Sequence, residues 1–197
     1  MTCCTEFEVI EDFYAATDGE RIYHRLLQEQ NWPDNHYIVA GRQFILPRLQ
    51  TWHADPGITY SYSNNLLETR SWTSLLSDIR AKIELCLDFS FNSVLVNWYR
   101  NGEDYVGWHA DNEPELGEQP FIVSLTFGAE RLFEFRHKKS SKNGRLLLRS
   151  GTLLIMRPDF QHHWLHSVPI EKNLMEGRIN LTFRKVIPKT NSFLGSG

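Results

Sequence analysis

RINLTFRKV, residues 178–186, alternates polar and apolar side chains over its first seven positions. Side chains two apart on a strand share a face. Ile179, Leu181 and Phe183 therefore make an apolar face, and Arg178, Asn180, Thr182 and Arg184 a polar, cationic one. The runs before it are of the same kind: SVLVNWY (93–99), FIVSLTFG (121–128), RLFEFRH (131–137), RLLLRS (145–150) and GTLLIMR (151–157). All are short and rich in β-branched and aromatic residues. Turn signals separate them at Arg100-Asn101-Gly102, Lys142-Asn143-Gly144 and Ser150-Gly151. Many such strands at close spacing predict antiparallel sheets packed as a sandwich or jelly roll.

The N-terminal half reads differently. TDGERIYHRLLQEQ (17–30) opens with Thr17 and Glu20 at capping-box spacing and carries Ile22, Tyr23, Leu26 and Leu27 on one stripe, so it predicts a helix ending before Trp32-Pro33. In SWTSLLSDIRAKIELCLDF (71–89), Trp72, Leu75, Leu76, Ile79, Ile83, Cys86 and Leu87 follow helical spacing. The expected class is α+β, mainly β, with both helices flanking the jelly roll. With 197 residues, 41% of them hydrophobic, and no linker or repeat, a single domain over 1–197 is expected. Within it, 1–90 forms the helical extension and 91–187 the jelly-roll core.

No apolar run is long enough to span a bilayer, and MTCCTEFEVIEDFY lacks the basic and apolar regions of a secretion signal. The expectation is a monomer with no membrane partner, in the cytoplasm, or the nucleus of a eukaryote. Cys3, Cys4 and Cys86 support neither a disulfide framework nor a zinc knuckle, so free thiols are expected, with Cys86 packed in its helix. A net charge of −3 argues against gripping a nucleic acid by bulk electrostatics. It leaves room for a local patch, because RLFEFRHKKSSKNGRLLLR (131–149) is strongly basic.

Three sets of polar residues recur at even spacing: Asn97 with Tyr99, His109 with Asp111, and the 178–184 face. Singly, each fits a half-solvated strand or a hydrogen-bonded pair. Their conjunction with a later histidine cluster, QHHWLHSVP (161–169), is more specific. Two imidazoles and one carboxylate form the ligand set of non-haem Fe(II) oxygenases, because three protein ligands leave open positions for cosubstrate and oxygen. His109 and Asp111 supply two of these ligands, and a histidine within 162–166 the third. The chelating cosubstrate would be 2-oxoglutarate, whose distal carboxylate needs a cation that Arg178 or Arg184 can provide.

With those residues in view, the chain resembles the AlkB family of Fe(II)/2-oxoglutarate-dependent nucleic-acid dealkylases. PRLQTWHADPGITYSYS, VLVNWYRNGEDYVGWHADNEPELG, IVSLTFGAERLFEFRHK, GTLLIMRPDFQHHWLHSVP and RINLTFRKV carry the likeness, over roughly residues 40 to 187. The resemblance implies a double-stranded β-helix with metal ligands His109, Asp111 and His166. It places Asn97, Tyr99, Arg178, Asn180 and Arg184 around 2-oxoglutarate, with Arg178 on the distal carboxylate. It further implies demethylation of 1-methyladenine- and 3-methylcytosine-type bases in DNA, with RNA a second polymer, using Fe(II) and O2 and releasing succinate, CO2 and formaldehyde. Tyr62 and Tyr60 would pack on the flipped base, Asn112 and Glu113 would read its edge, and Arg136 and Lys138 would contact phosphates. Residues 1–90 would then be a substrate-recognition extension. Duplex-specialised relatives carry an apolar finger where this chain has Val39 and Ala40, with Phe44 nearby. That difference implies single-stranded or easily opened substrates. A 2-oxoglutarate oxygenase acting on a protein or small molecule is the alternative.

Overall fold

The structure, a computed structural model, describes residues 6–33, 36–39, 41–59, 61–62, 65–66 and 68–188, for 37–39, 61–62 and 65–66 the backbone alone. In chain order the elements are β1 (Phe7–Ile10), α1 (Ala16–Glu29), β2 (His36–Val39), β3 (Arg42–Ile45), β4 (Leu49–Ala54), β5 (Ser61–Tyr62), β6 (Asn65–Leu66), β7 (Thr69–Arg70) and α2 (Ser74–Leu87). Then follow β8 (Ser93–Tyr99), β9 (Val106–His109), β10 (Ile122–Gly128), β11 (Arg131–His137), β12 (Asn143–Leu148), β13 (Leu153–Met156), α3 (Pro158–His163), β14 (Trp164–Val168) and β15 (Arg178–Arg184).

Two sheets make the body of the molecule, a jelly roll as expected. The larger runs β1-β13-β10-β15-β8-β4-β7 and the smaller β12-β11-β14-β9, while β2-β3 and β5-β6 are separate hairpins. Every residue of β15 is buried, which explains its alternation. Its apolar face, Ile179, Leu181 and Phe183, packs under the helices with Leu26, Leu76, Ile79 and Ile83. The opposite, polar face turns into the space between the sheets, so it is not the solvated face of a half-buried strand. A second core, with Leu95, Ile122, Phe133, Met156 and Phe160 in it, fills the rest of that space and reaches the polar residues, the Phe133 ring lying 5.2 Å from that of His166. The segment before residue 91 adds β1, β4 and β7 to the larger sheet.

Three local expectations need correction. α1 starts at Ala16 with Ala15 as its N-cap and no side-chain cap, so Thr17 and Glu20 lie inside the helix rather than at its cap. The entry is set by tertiary structure instead, because Tyr14 N–H donates to the Gly151 carbonyl (3.2 Å). Cys86 lies in α2 but is exposed. Leu75, Leu76, Ile79 and Ile83 form the inner stripe, Leu87 continues it four residues on, and position 86 falls on the flank. Thr73 caps this helix, its Oγ1 accepting from Leu76 N–H (3.2 Å). Asn143 and Gly144 are ladder residues rather than a turn, with Gly144 opposite Phe135. A Cβ on Gly144 would lie 2.5 Å from Phe135 Cζ, so the glycine makes room for the aromatic ring across the ladder.

Between β8 and β9 the loop is held rigidly beside the polar space. The wholly buried Arg131 donates to the carbonyls of Asn101 (3.1 Å), Asp104 (2.9 Å) and Pro169 (2.6 Å). Gly102 and the 171–174 segment exchange backbone bonds: Gly102 N–H to Leu174 O and Glu171 N–H to Gly102 O, both 2.8 Å. A Cβ at Gly102 would sit 1.9 Å from the Glu171 carbonyl oxygen, which is backbone and cannot rotate away. Gly102→Ala should therefore cost at least about 2 kcal/mol of stability in urea unfolding, and unchanged stability would contradict this packing.

A candidate metal centre and its cosubstrate cleft

His109 ends β9, and His166 lies directly opposite it in β14, their ring centroids 4.2 Å apart. Asp111 follows two residues later, beyond the strand. Two contacts fix it there. Its N–H donates to Gln161 Oε1 (2.9 Å), and its Oδ2 accepts from Arg184 Nη2 (2.8 Å). One donor atom from each of His109, Asp111 and His166 lies within 4.8 Å of the others, the one such group among the described residues. His162 and His163, the competing candidates, sit on the surface in α3, beside the Glu118 carbonyl (2.9 Å) and Glu6 (3.1 Å).

The protonation pattern suits metal binding. His109 Nδ1 is 2.8 Å from the Gly107 carbonyl, which can only accept, so the proton sits there and Nε2 keeps its lone pair. That Nε2 is 3.7 Å from Asp111 Oδ1, a buried oxygen without a hydrogen-bond partner among the described residues. Burial lowers both imidazole pKa values, His166 to about 3, with the neighbouring His109 adding to that effect. Burial alone would raise the Asp111 pKa, but Arg184 and the two imidazoles hold it at about 2. At neutral pH the group is two neutral imidazoles and one carboxylate, brought together on the wall of one cleft. This donor set fits Fe(II) with open positions left over.

All five residues expected around 2-oxoglutarate line the same cleft as these three, and the cleft encloses about 470 Å³ including its open mouth. Arg178 is 2% exposed and donates Nη2 to Thr126 Oγ1 (2.7 Å), while its Nε and Nη1 are buried and meet no hydrogen-bond partner among the described residues. The Tyr99 ring centroid lies 5.2 Å from the guanidinium carbon. Burial lowers the Arg178 pKa to about 10, partly offset by Tyr99, so it remains a cation near neutral pH. A buried cation with two free donors fits the distal carboxylate of a small dicarboxylic acid. Asn180 is already engaged by its own strands, donating to Ser124 Oγ (2.7 Å) and accepting from Thr182 (2.9 Å).

Arg48 and Gln161 were not found by reading the sequence. Arg48, 4% exposed, lines the cleft and donates Nε to Asn97 Oδ1 (2.9 Å), which leaves the Asn97 amide N–H groups to face the cleft. Polar residues on both sides of PRLQTWH hid it. Gln161 lay in a histidine-rich run that drew attention to its neighbours. Of the residues expected to touch substrate, the four whose side chains are described, Asn112, Glu113, Arg136 and Lys138, do not line the cleft. Asn112 is exposed and Glu113 half-buried beside it; Lys138 Nζ donates to the Gln161 carbonyl (2.7 Å), and Arg136 is exposed over Trp108. Tyr60 and the Tyr62 side chain lie outside the described residues, as do Ala40 and the Val39 side chain; Phe44 is 43% exposed. Gln161→Leu, which keeps volume but loses the acceptor under Asp111, should weaken Mn(II) affinity about 10-fold by calorimetry. Unchanged affinity would show that Asp111 needs no such support.

Comparison with known proteins agrees with this geometry. The model of the 2OG-Fe(II) oxygenase superfamily matches residues 6–184. The chain is 37% identical to mouse (Mus musculus) DNA oxidative demethylase ALKBH2 over 186 residues, covering 89% of this chain and 78% of the relative. It is 39% identical to the Bos taurus protein of that name (77% of this chain, 58% of the relative). It is 38% identical to the human (Homo sapiens) alpha-ketoglutarate-dependent dioxygenase alkB homolog 3 (89% and 64%), so it spans about three fifths of those two relatives. The solved structure of OsALKBH1 superposes with a TM-score of 0.63 at 20% identity, covering 91% of this chain and 98% of that one, a likeness of fold. The chain belongs to the 2OG-Fe(II) oxygenase superfamily, whose members work with Fe(II), 2-oxoglutarate and O2, and within it to the AlkB family.

Proposed function

We propose that this protein oxidatively demethylates N-alkylated bases of the 1-methyladenine and 3-methylcytosine type in DNA, with RNA as a second polymer. The observation that carries the reading is the shared cleft: three metal-ligand side chains and a buried arginine with free donors line one wall-to-wall space. Relatives named as DNA oxidative demethylases supply the substrate class.

In this reading His109, Asp111 and His166 hold the metal, and Arg184 keeps Asp111 anionic and oriented. Arg178 grips the distal carboxylate of 2-oxoglutarate, and Asn97, its amide turned by Arg48, donates to the cosubstrate. Fe(II) held there would supply the oxidation by O2 in which 2-oxoglutarate becomes succinate and CO2 and the N-methyl carbon is hydroxylated and lost as formaldehyde. The protein excludes water and places the methyl group. A base must leave its stack to reach the cleft, which costs least in a single strand. Val39 and Ala40 in the sequence offer little to wedge a duplex open, so single-stranded or easily opened DNA is the proposed substrate, taken by a monomer.

Mass spectrometry of a single-stranded oligonucleotide carrying 3-methylcytosine, incubated with protein, Fe(II), ascorbate and O2, tests this. Methyl loss only when 2-oxoglutarate is present is the expected result. Succinate formation with the base still methylated would move the substrate to a protein or small molecule. Asp111→Ala should abolish turnover, and retained turnover with metal still bound at this site would refute the ligand assignment. Arg178→Ala should raise the KM for 2-oxoglutarate at least about 10-fold while leaving oligonucleotide affinity unchanged; an unmoved KM would remove Arg178 from the cosubstrate.

A further inference from the structure

Trp108 precedes the ligand His109 on β9, and strand alternation sends its side chain to the opposite face, away from the metal. Among the described residues β9 is the edge strand of the smaller sheet, paired with β14 alone. The indole is 39% exposed. Its partner is the exposed Arg136 of β11, whose guanidinium carbon lies 4.4 Å from the ring centroid. Among the described residues no carboxylate pairs with Arg136. The ribbon that carries it also exposes Lys139, Lys142 and Arg145, on a chain whose net charge is −3. A large flat aromatic, backed by a cation, thus stands at an open strand edge one residue from the metal centre, beside a local basic surface.

We propose that Trp108, backed by Arg136, is a stacking platform for an unpaired nucleobase next to the lesion in single-stranded nucleic acid. The inference rests on the demethylase reading and names how that site chooses its polymer. Every base offers a π-face, so stacking on an indole tolerates any flanking sequence, and the guanidinium adds attraction and a contact for the adjacent phosphate. In a duplex these faces are occupied by neighbouring bases. A strand that enters the cleft over the β9 edge, with its damaged base toward His109, carries the next base across Trp108. The platform therefore favours single strands without reading their sequence.

The test uses the full chain with Mn(II) and 2-oxoglutarate, which binds without turnover, and fluorescein-labelled 3-methylcytosine oligonucleotides in single-stranded and duplex form. Trp108→Ala should weaken single-strand binding about 10-fold in anisotropy titrations, with a smaller effect on the duplex. The salt dependence should keep its slope, because no phosphate contact is removed. Trp108→Phe should recover most of the affinity, and Arg136→Ala should lower the salt slope by about one. Single-strand affinity of Trp108→Ala within twofold of the unaltered protein overturns the platform, and so does equal weakening on duplex and single strand. Failure of the unaltered protein to bind either oligonucleotide overturns the demethylase reading itself.

Discussion

The buried ion pair between Asp111 and Arg184 is the constraint on which the rest of the site depends. Its partners are 1% and 2% exposed and meet at 2.8 Å. Arg184 ends the strand at the heart of the larger sheet, and Asp111 follows the edge strand of the smaller one, so the pair ties the two sheets together at the metal centre. Losing one partner would strand a charge in the interior, a cost of about 3–5 kcal/mol. The pair also fixes chemistry. Arg184 occupies Oδ2, so Oδ1 alone is turned toward the imidazoles, and the carboxyl stays ionised throughout the physiological range.

Around this pair the cleft separates its charges. Asp111 and the histidines sit at one end, and Arg178, six residues before Arg184 on the same buried face of β15, at the other. An anion with two carboxylates can therefore span the cleft, one end at the metal and the other on Arg178. The apolar face of β15 fixes that spacing. Ile179, Leu181 and Phe183 are packed under two helices, so the strand cannot slip without exposing them and burying its arginines in the wrong core. Packing energy on one face thus holds recognition geometry on the other.

Much of this was legible in the sequence because period-two alternation survives in the central strands. SVLVNWY and RLFEFRH coincide with β8 and β11, and the strict alternation of 178–184 placed four polar residues on one face. The spacing of His109 and Asp111 suggested two ligands, but three histidines competed for the third place. Spacing left that choice open, the AlkB resemblance selected His166, and the fold agrees by putting His166 across the ladder from His109 while α3 carries His162 and His163 outward. Arg48 and Gln161 escaped because each acts through another residue, Asn97 or the Asp111 main chain, over 49 and 50 positions of sequence. Gly144 escaped for a similar reason: what requires glycine there is a phenylalanine ring across the ladder.

The central claim is that one cleft holds a metal on His109, Asp111 and His166 and 2-oxoglutarate between that metal and Arg178. A crystal structure of the protein with Mn(II) and 2-oxoglutarate, with anomalous data, tests it most directly. The account predicts one anomalous peak bound by these three side chains and the distal carboxylate paired with Arg178 through Nε and Nη1. A metal bound elsewhere, or a cosubstrate carboxylate that leaves Arg178 unengaged, would contradict it.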